Sequence, residues 1–268
     1  MVVKACIFDI GGVCVSSPLP RPFLPFPSKL TNTPQVLSPL HAIRAYETRN
    51  SIPSGYISYA IDTSSPSGSW DKLERGEIPM NSAFFAGFTS DLTSPETWNS
   101  FFRSRNLPEV ATPPPRIDGE ALFWQMMTKS RVPNRPVVTA IRKLRATGRY
   151  KVAALTNDYQ FPRDHPLADN SELRGLFDVF VSSSECGMRK PERGVYRLVL
   201  ERLGVAPGEA VFLDDLGLNL KAARELGIIT VRVPLEETWR AVKELEGVLG
   251  EKLLDEEEEE TASEKAKL

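Results

Sequence analysis

Four groups of residues carry side chains suited to phosphoryl chemistry. Asp9 precedes Gly11-Gly12, Thr156-Asn157 follow the apolar run Val152–Leu155, Lys190 lies within Gly187-Met188-Arg189-Lys190-Pro191, and Asp214-Asp215 follow Ala210–Leu213. An aspartate on a glycine-containing loop can attack a phosphoryl group, because glycine lets backbone N–H groups such as those around Gly12 approach phosphate oxygens closely. The Thr156 hydroxyl and the Asn157 amide can hold the same oxygens. Lys190 would neutralise the charge that nucleophile and phosphate share, without which the two repel each other. Asp214 and Asp215 complete an oxygen-rich set for a hard cation, with water and phosphate filling the other positions. Taken singly, each group has a plainer role as a turn, a surface lysine or a helix cap. Their order along the chain and the strand-end placement read for all four favour a joint role.

The elements that must position these residues are legible as alternating patterns. The run Val2–Phe8 stops at Asp9 and reads as a buried strand entering a tight loop. Between the later strands lie helical periods: Val137, Ile141 and Leu144 before Gly148, Val195, Leu198, Val199 and Leu203 before Gly204, and Leu218, Ala222 and Leu226 before Gly227. Strands alternating with helices imply an α/β fold, a doubly wound parallel sheet of Rossmann-like type whose ligand crevice lies beyond the carboxyl strand ends. Residues 18–132 break the alternation. Amphipathic stretches at His41–Arg49, Ala83–Phe88, Trp98–Arg105 and Ala121–Lys129, separated by the connectors Pro18–Pro27, Ser64–Ser69 and Thr112–Pro115, predict an inserted α-helical cap domain. The core is then residues 1–17 and 133–250. Residues 251–268, with the acidic run Asp255–Glu260, are expected to form a frayed helix end or a flexible tail.

Composition narrows the function further. The chain has 268 residues, a formal net charge of −2 and scattered basic residues, which offers no phosphate-tracking stripe for nucleic acid. Its apolar runs are too short for a membrane span, and the opening residues lack a signal-peptide pattern, so neither secretion nor membrane insertion is expected. Cys6, Cys14 and Cys186 lack metal-ligand spacing and read as small buried residues. Only two histidines, His41 and His165, are present, which disfavours a histidine-rich zinc site. Arginine is absent six residues beyond each cysteine, where Gly12, Pro20 and Glu192 stand, so cysteine-phosphatase chemistry is excluded.

The segments FDIGGV, ALTN, GMRKPE and VFLDDLGLNLKAARELGI resemble, in order, the four signature motifs of the haloacid dehalogenase (HAD) superfamily. Within it, the segments Ala45–Glu47, Ile52–Tyr56 and Leu73–Ile78 are similar to the cap of a subgroup. That subgroup contains the N-terminal phosphatase domain of soluble epoxide hydrolase and related domains fused to acyl-CoA dehydrogenases. The resemblance implies that Asp9 is the nucleophile and that Thr156, Asn157 and Lys190 hold the phosphate. It also implies that the carboxylates of Asp9 and Asp215 and the carbonyl of Gly11 bind Mg2+, with Asp214 supporting the metal shell. Small lipid or sugar phosphates are the implied substrates.

The sequence departs from the family pattern at Gly11, where superfamily phosphatases usually carry a second aspartate that protonates the leaving oxygen. Its loss is expected to slow the reaction by a factor on the order of 10²–10⁴. Two readings follow: a phosphatase that tolerates the missing acid, and a catalytically silent phosphate-ligand binder or interaction protein. Carbon–halogen cleavage is less favoured, because the Asp214-Asp215 pair suits a metal that dehalogenation does not require. The cap aromatics Phe84, Phe85, Phe88, Trp98, Phe101, Phe102, Phe123 and Trp124 are expected to form its core rather than a lined entrance. The terminal Ala266-Lys267-Leu268 is a variant of the peroxisomal address read by an import receptor, and predicts a peroxisomal or otherwise cytoplasmic location.

Overall fold

The computed structural model describes residues 2–14, 39–106, 113–129, 134–166, 168–235 and 237–265. The connector Pro18–Pro27, the cap boundaries at 17/18 and 132/133, and Ala266–Leu268 lie outside the described residues.

Five strands, β1 (Ala5–Phe8), β2 (Lys151–Thr156), β3 (Val179–Ser182), β4 (Ala210–Asp214) and β5 (Ile229–Arg232), form one parallel sheet in the order β3-β2-β1-β4-β5. The chain builds outward from β1 on one side and then returns to build outward on the other. The switch point therefore falls between β1 and β4, where a parallel sheet opens its ligand crevice. Register sets the site: Phe8 lies level with Ala154 and Leu213, so the next residue on each strand, Asp9, Leu155 and Asp214, falls at one height.

Alternation along β1 feeds two cores. Cys6 and Phe8 join Val152, Val211 and Leu213 against α7 (Arg135–Thr147) and α12 (Thr238–Leu249) on one face. Ala5 and Ile7 join Ala153, Leu155 and Phe212 against α10 (Arg193–Leu203) and α11 (Gly217–Glu225) on the other. Short helices α8 (Ser171–Arg174) and α9 (Ser183–Cys186) flank β3. Cys6 and Cys14 are buried as expected, whereas Cys186 is half-buried.

Two expectations are met only in part. Along α11 and at its C-cap, Ala222 and Leu226 pack against the core as expected, but Leu218 is 64% exposed, and the most deeply buried residues are Asn219, Leu220 and Ala223. The helix is rotated because Asn219 turns inward, where its side-chain amide donates to both oxygens of Asp214 at 3.1 Å. Of the two alternatives for the acidic run, helix end or flexible tail, the structure takes the helix. Residues Glu256–Lys265 form α13, with Arg135 2.9 Å from Glu257 and Lys243 2.8 Å from Glu259, while Glu258 is buried and accepts from the Thr139 hydroxyl at 3.3 Å. Cations on α7 and α12 offset the like-charge repulsion on which that expectation rested.

The helices α1 (Pro39–Arg49), α2 (Tyr56–Ser64), α3 (Ser69–Glu74), α4 (Ser82–Leu92), α5 (Pro95–Ser104) and α6 (Gly119–Lys129) form a separate body with its own apolar cluster. Local signals start them: the Asn81 side chain accepts from the N–H groups of Ala83 and Phe84, and Ser94 caps α5 with Pro95 in its first turn. Seven of the eight aromatics named above are buried in this cluster, with Trp124 packed at its edge, so they are core. Tyr159 and Phe161, from the loop after β2, pack into the same cluster; Tyr159 lies 5.4 Å from Trp70 and 5.6 Å from Phe123 between ring centroids.

Candidate active site

Asp9 follows β1, and its backbone N–H donates to the Leu213 carbonyl at 2.9 Å, which extends the ladder by one residue and fixes the carboxylate at the switch point. One oxygen, Oδ1, accepts from the Ile10 N–H at 2.6 Å and lies 2.7 Å from Lys190 Nζ. The same ammonium donates to Asp214 Oδ2 at 2.7 Å. Lys190 is thus buried between two carboxylates. Burial opposes its charge, but Asp214 and Asp9 outweigh that and hold its pKa above the ordinary lysine range.

Asp214 is fully buried, and donors surround its carboxylate: Leu216 N–H at 2.8 Å, Asn219 and Lys190. Such an oxyanion braces its neighbours more readily than it gives both oxygens to an ion. Asp215 is half-buried, and burial together with the charge of Asp214 pushes its carboxyl up to about 7. Burial also raises Asp9 well above the carboxylate range, against the pull of Lys190. Carboxylate oxygens of Asp9, Asp214 and Asp215 all lie within 4.8 Å of one another. Three convergent carboxylates with one lysine leave excess negative charge, and an all-oxygen set of this size fits a hard divalent cation such as Mg2+. Gly12 makes room for it: φ is 81°, and a Cβ there would stand 2.7 Å from Asp215 Oδ2.

Thr156 ends β2 beside β1, with its hydroxyl 3.2 Å from the Asn157 carbonyl. The Asn157 side chain is occupied elsewhere. Its Oδ1 accepts from the Lys190 N–H at 2.8 Å, and its Nδ2 donates to the Lys190 carbonyl at 3.1 Å and to Glu74 at 3.3 Å. The structure therefore brings Asp9, Gly11, Gly12, Thr156, Asn157, Lys190, Asp214 and Asp215 to one sheet edge, with the Asn157 amide holding the lysine loop. Sequence reasoning missed Asn219, Arg189, Asp71 and Glu74. Asn219 was readable as a polar residue one turn beyond the acidic pair, whereas the cap carboxylates gave no local signal.

The haloacid dehalogenase-like hydrolase family matches residues 3–227, which include every one of these positions. The chain belongs to that family. HAD-like relatives include acyl-CoA dehydrogenase family member 10 of Mus musculus, 35% identical over 252 residues, or 92% of this chain and 19% of that protein. Bifunctional epoxide hydrolase 2 of Mus musculus is 32% identical over 212 residues, or 78% of this chain and 36% of that protein. The chain thus spans well under half of either relative. The sesquiterpene phosphatase astK of Aspergillus oryzae is 27% identical over 164 residues, or 58% of this chain and 80% of that protein. Among solved structures, a HAD-like hydrolase from Porphyromonas gingivalis shares the fold at a TM-score of 0.53 and 18% identity, covering 91% of this chain and 98% of its own. Among the described residues no helix is long and apolar enough to cross a membrane.

Proposed function

We propose that this HAD-family hydrolase is a magnesium-dependent phosphatase that cleaves small phosphate monoesters through a phosphoaspartyl intermediate on Asp9. The observation that carries the reading is the Asp9 carboxylate, 2.7 Å from Lys190 Nζ and grouped with Asp214 and Asp215 at the switch point. Lys190 bonds one Asp9 oxygen and leaves the other to attack. That oxygen bonds to phosphorus as the bond to the leaving oxygen breaks, and the leaving oxygen takes its proton from solvent because Gly11 offers no acid. Water then attacks the phosphorus, gives its proton to solvent, and releases orthophosphate as the Asp9–phosphorus bond breaks. Lys190, the Thr156 hydroxyl and the N–H groups at Gly12 and Asn157 hold the phosphate oxygens throughout.

Asp9, Asp215 and the Gly11 carbonyl would hold Mg2+, with Asp214 behind them, and the ion supplies neutralising charge for the phosphoryl oxygens. Esters of lipid alcohols are the substrate class that the likeness to a sesquiterpene phosphatase favours, with sugar phosphates as the alternative. The test is orthophosphate release from a panel of phosphate esters with Mg2+, beside Asp9→Asn. Turnover that vanishes in Asp9→Asn supports the reading. Gly11 favours the second reading, a silent phosphate binder, and orthophosphate binding without release from any ester would establish it.

A further inference from the structure

The lysine loop of the core is tied to the cap by buried ionic contacts. Arg189, next to Lys190, donates through Nε to Glu74 Oε2 at 2.6 Å and pairs through Nη1 with Asp71 Oδ1. Glu74 and Asp71 lie on α3 and are almost fully buried, and Glu74 Oε1 accepts from Trp70 Nε1 at 2.9 Å. Glu74 Oε2 also accepts from Asn157 Nδ2, whose amide brackets the Lys190 backbone on its N–H and its carbonyl. A continuous path therefore runs from the cap carboxylate through one asparagine amide to the backbone of the lysine that contacts the nucleophile. Just beyond α3, Gly76 passes so close to the Ser184 carbonyl that a Cβ would collide with it.

The contacts of Arg189 and Asn157 with α3 exist only with the cap docked. Lifting the cap strips Arg189 of both carboxylates and takes Glu74 from the Asn157 amide, so the two bonds by which that amide holds the Lys190 backbone lose their brace. The ammonium is at the far end of a flexible four-carbon stem, and its place between Asp9 and Asp214 depends on where that backbone is held. We propose that Glu74, aided by Asp71, is a positioning residue that couples cap docking to the placement of Lys190, so that the nucleophile meets its cation only under a closed cap. The inference rests on the phosphatase reading for its catalytic consequence, but its structural half can be read from ligand binding alone.

The experiment measures orthophosphate affinity by calorimetry in the presence of Mg2+, and turnover of p-nitrophenyl phosphate, for wild type, Glu74→Ala, Glu74→Gln and Lys190→Met. Glu74→Ala is expected to weaken orthophosphate binding and lower kcat by about tenfold each, although its side chain is placed to meet neither. Glu74→Gln, which keeps an acceptor for Asn157, should recover most of both. In the Lys190→Met background, Glu74→Ala should weaken binding no further, because its effect passes through the lysine. Equal losses in both backgrounds, or a lowered melting temperature with unchanged affinity, would overturn the coupling. Wild-type binding without turnover would count against the phosphatase reading while leaving the coupling measurable, so the two failures are separable. Should Glu74→Ala fail to fold, Glu74→Gln and Arg189→Met carry the same comparison.

Discussion

In the phosphatase proposed above, Gly11 stands where a second carboxyl would reach the leaving oxygen, and the backbone there has room for a side chain. A Cβ built on Gly11 meets nothing within 4 Å, and its backbone is outside the left-handed region that penalises a side chain. The neighbouring Gly12 is the opposite case, with positive φ and Asp215 in the way. Without an acid, the departing oxygen must carry its own charge until solvent protonates it. Wild-type rates should therefore fall steeply as the leaving group becomes more basic, with aryl phosphates outpacing alkyl phosphates. Gly11→Asp is expected to raise kcat for an alkyl phosphate by roughly 10–100-fold and to change p-nitrophenyl phosphate turnover little, which flattens the dependence on leaving-group pKa. Steady-state rates on matched aryl and alkyl esters check this. An equal gain on both would mean that the new carboxyl acts on water attack in the second step.

At the level of elements, the strand ends were legible because a buried apolar run that stops at a polar or acidic residue leaves few alternatives to a parallel strand and its loop. The phase of α11 was not, because a polar bond from Asn219 to Asp214 sets it, and apolar periodicity is blind to that bond. The choice between helix end and tail for α13 stayed open for a similar reason: its partners Arg135, Thr139 and Lys243 are distant in sequence. Glu246 on α12 prepares its approach by accepting from the N–H groups of Leu253 and Leu254 at 2.7 and 3.0 Å. Burial would raise the Glu246 pKa, yet these two N–H bonds and Lys243 lower it below the ordinary value of 4.5. The unfolded chain then binds this proton more readily than the folded one as pH falls through 4.5, so the clamp stabilises fully above that value and is lost below it. Glu246→Gln should consequently be less stable than wild type at pH 7, with the difference shrinking as pH drops from 5 to 3. Urea midpoints across that range measure it, and a gap that stays constant with pH would show that the clamp acts through shape alone.

Across the whole molecule, two bodies with separate apolar clusters meet where α3 contacts Arg189 and Asn157, and one of them carries the carboxylates. The sequence disclosed the first body almost entirely, since Asp9, Thr156, Lys190 and Asp214 each stand in a local pattern. It hid the seam, because Glu74 and Arg189 are 115 residues apart and each alone is an ordinary surface charge. The same division makes cation binding readable in melting. Asp9, Asp214 and Asp215 crowd three carboxylates around a single ammonium, so a divalent ion bound only to the folded sheet stabilises it, by about 2.7 kcal/mol at a hundredfold excess over Kd. For a body of this size that corresponds to a rise on the order of 5–10 °C in its melting temperature. Calorimetric scans with Mg2+ should show it and scans with EDTA should reverse it. Asp215→Asn, which removes one proposed ligand, should need far more Mg2+ for the same rise. If cap and sheet melt separately, only the transition of the sheet should move. Equal shifts in wild type and Asp215→Asn would place the ion away from the three aspartates.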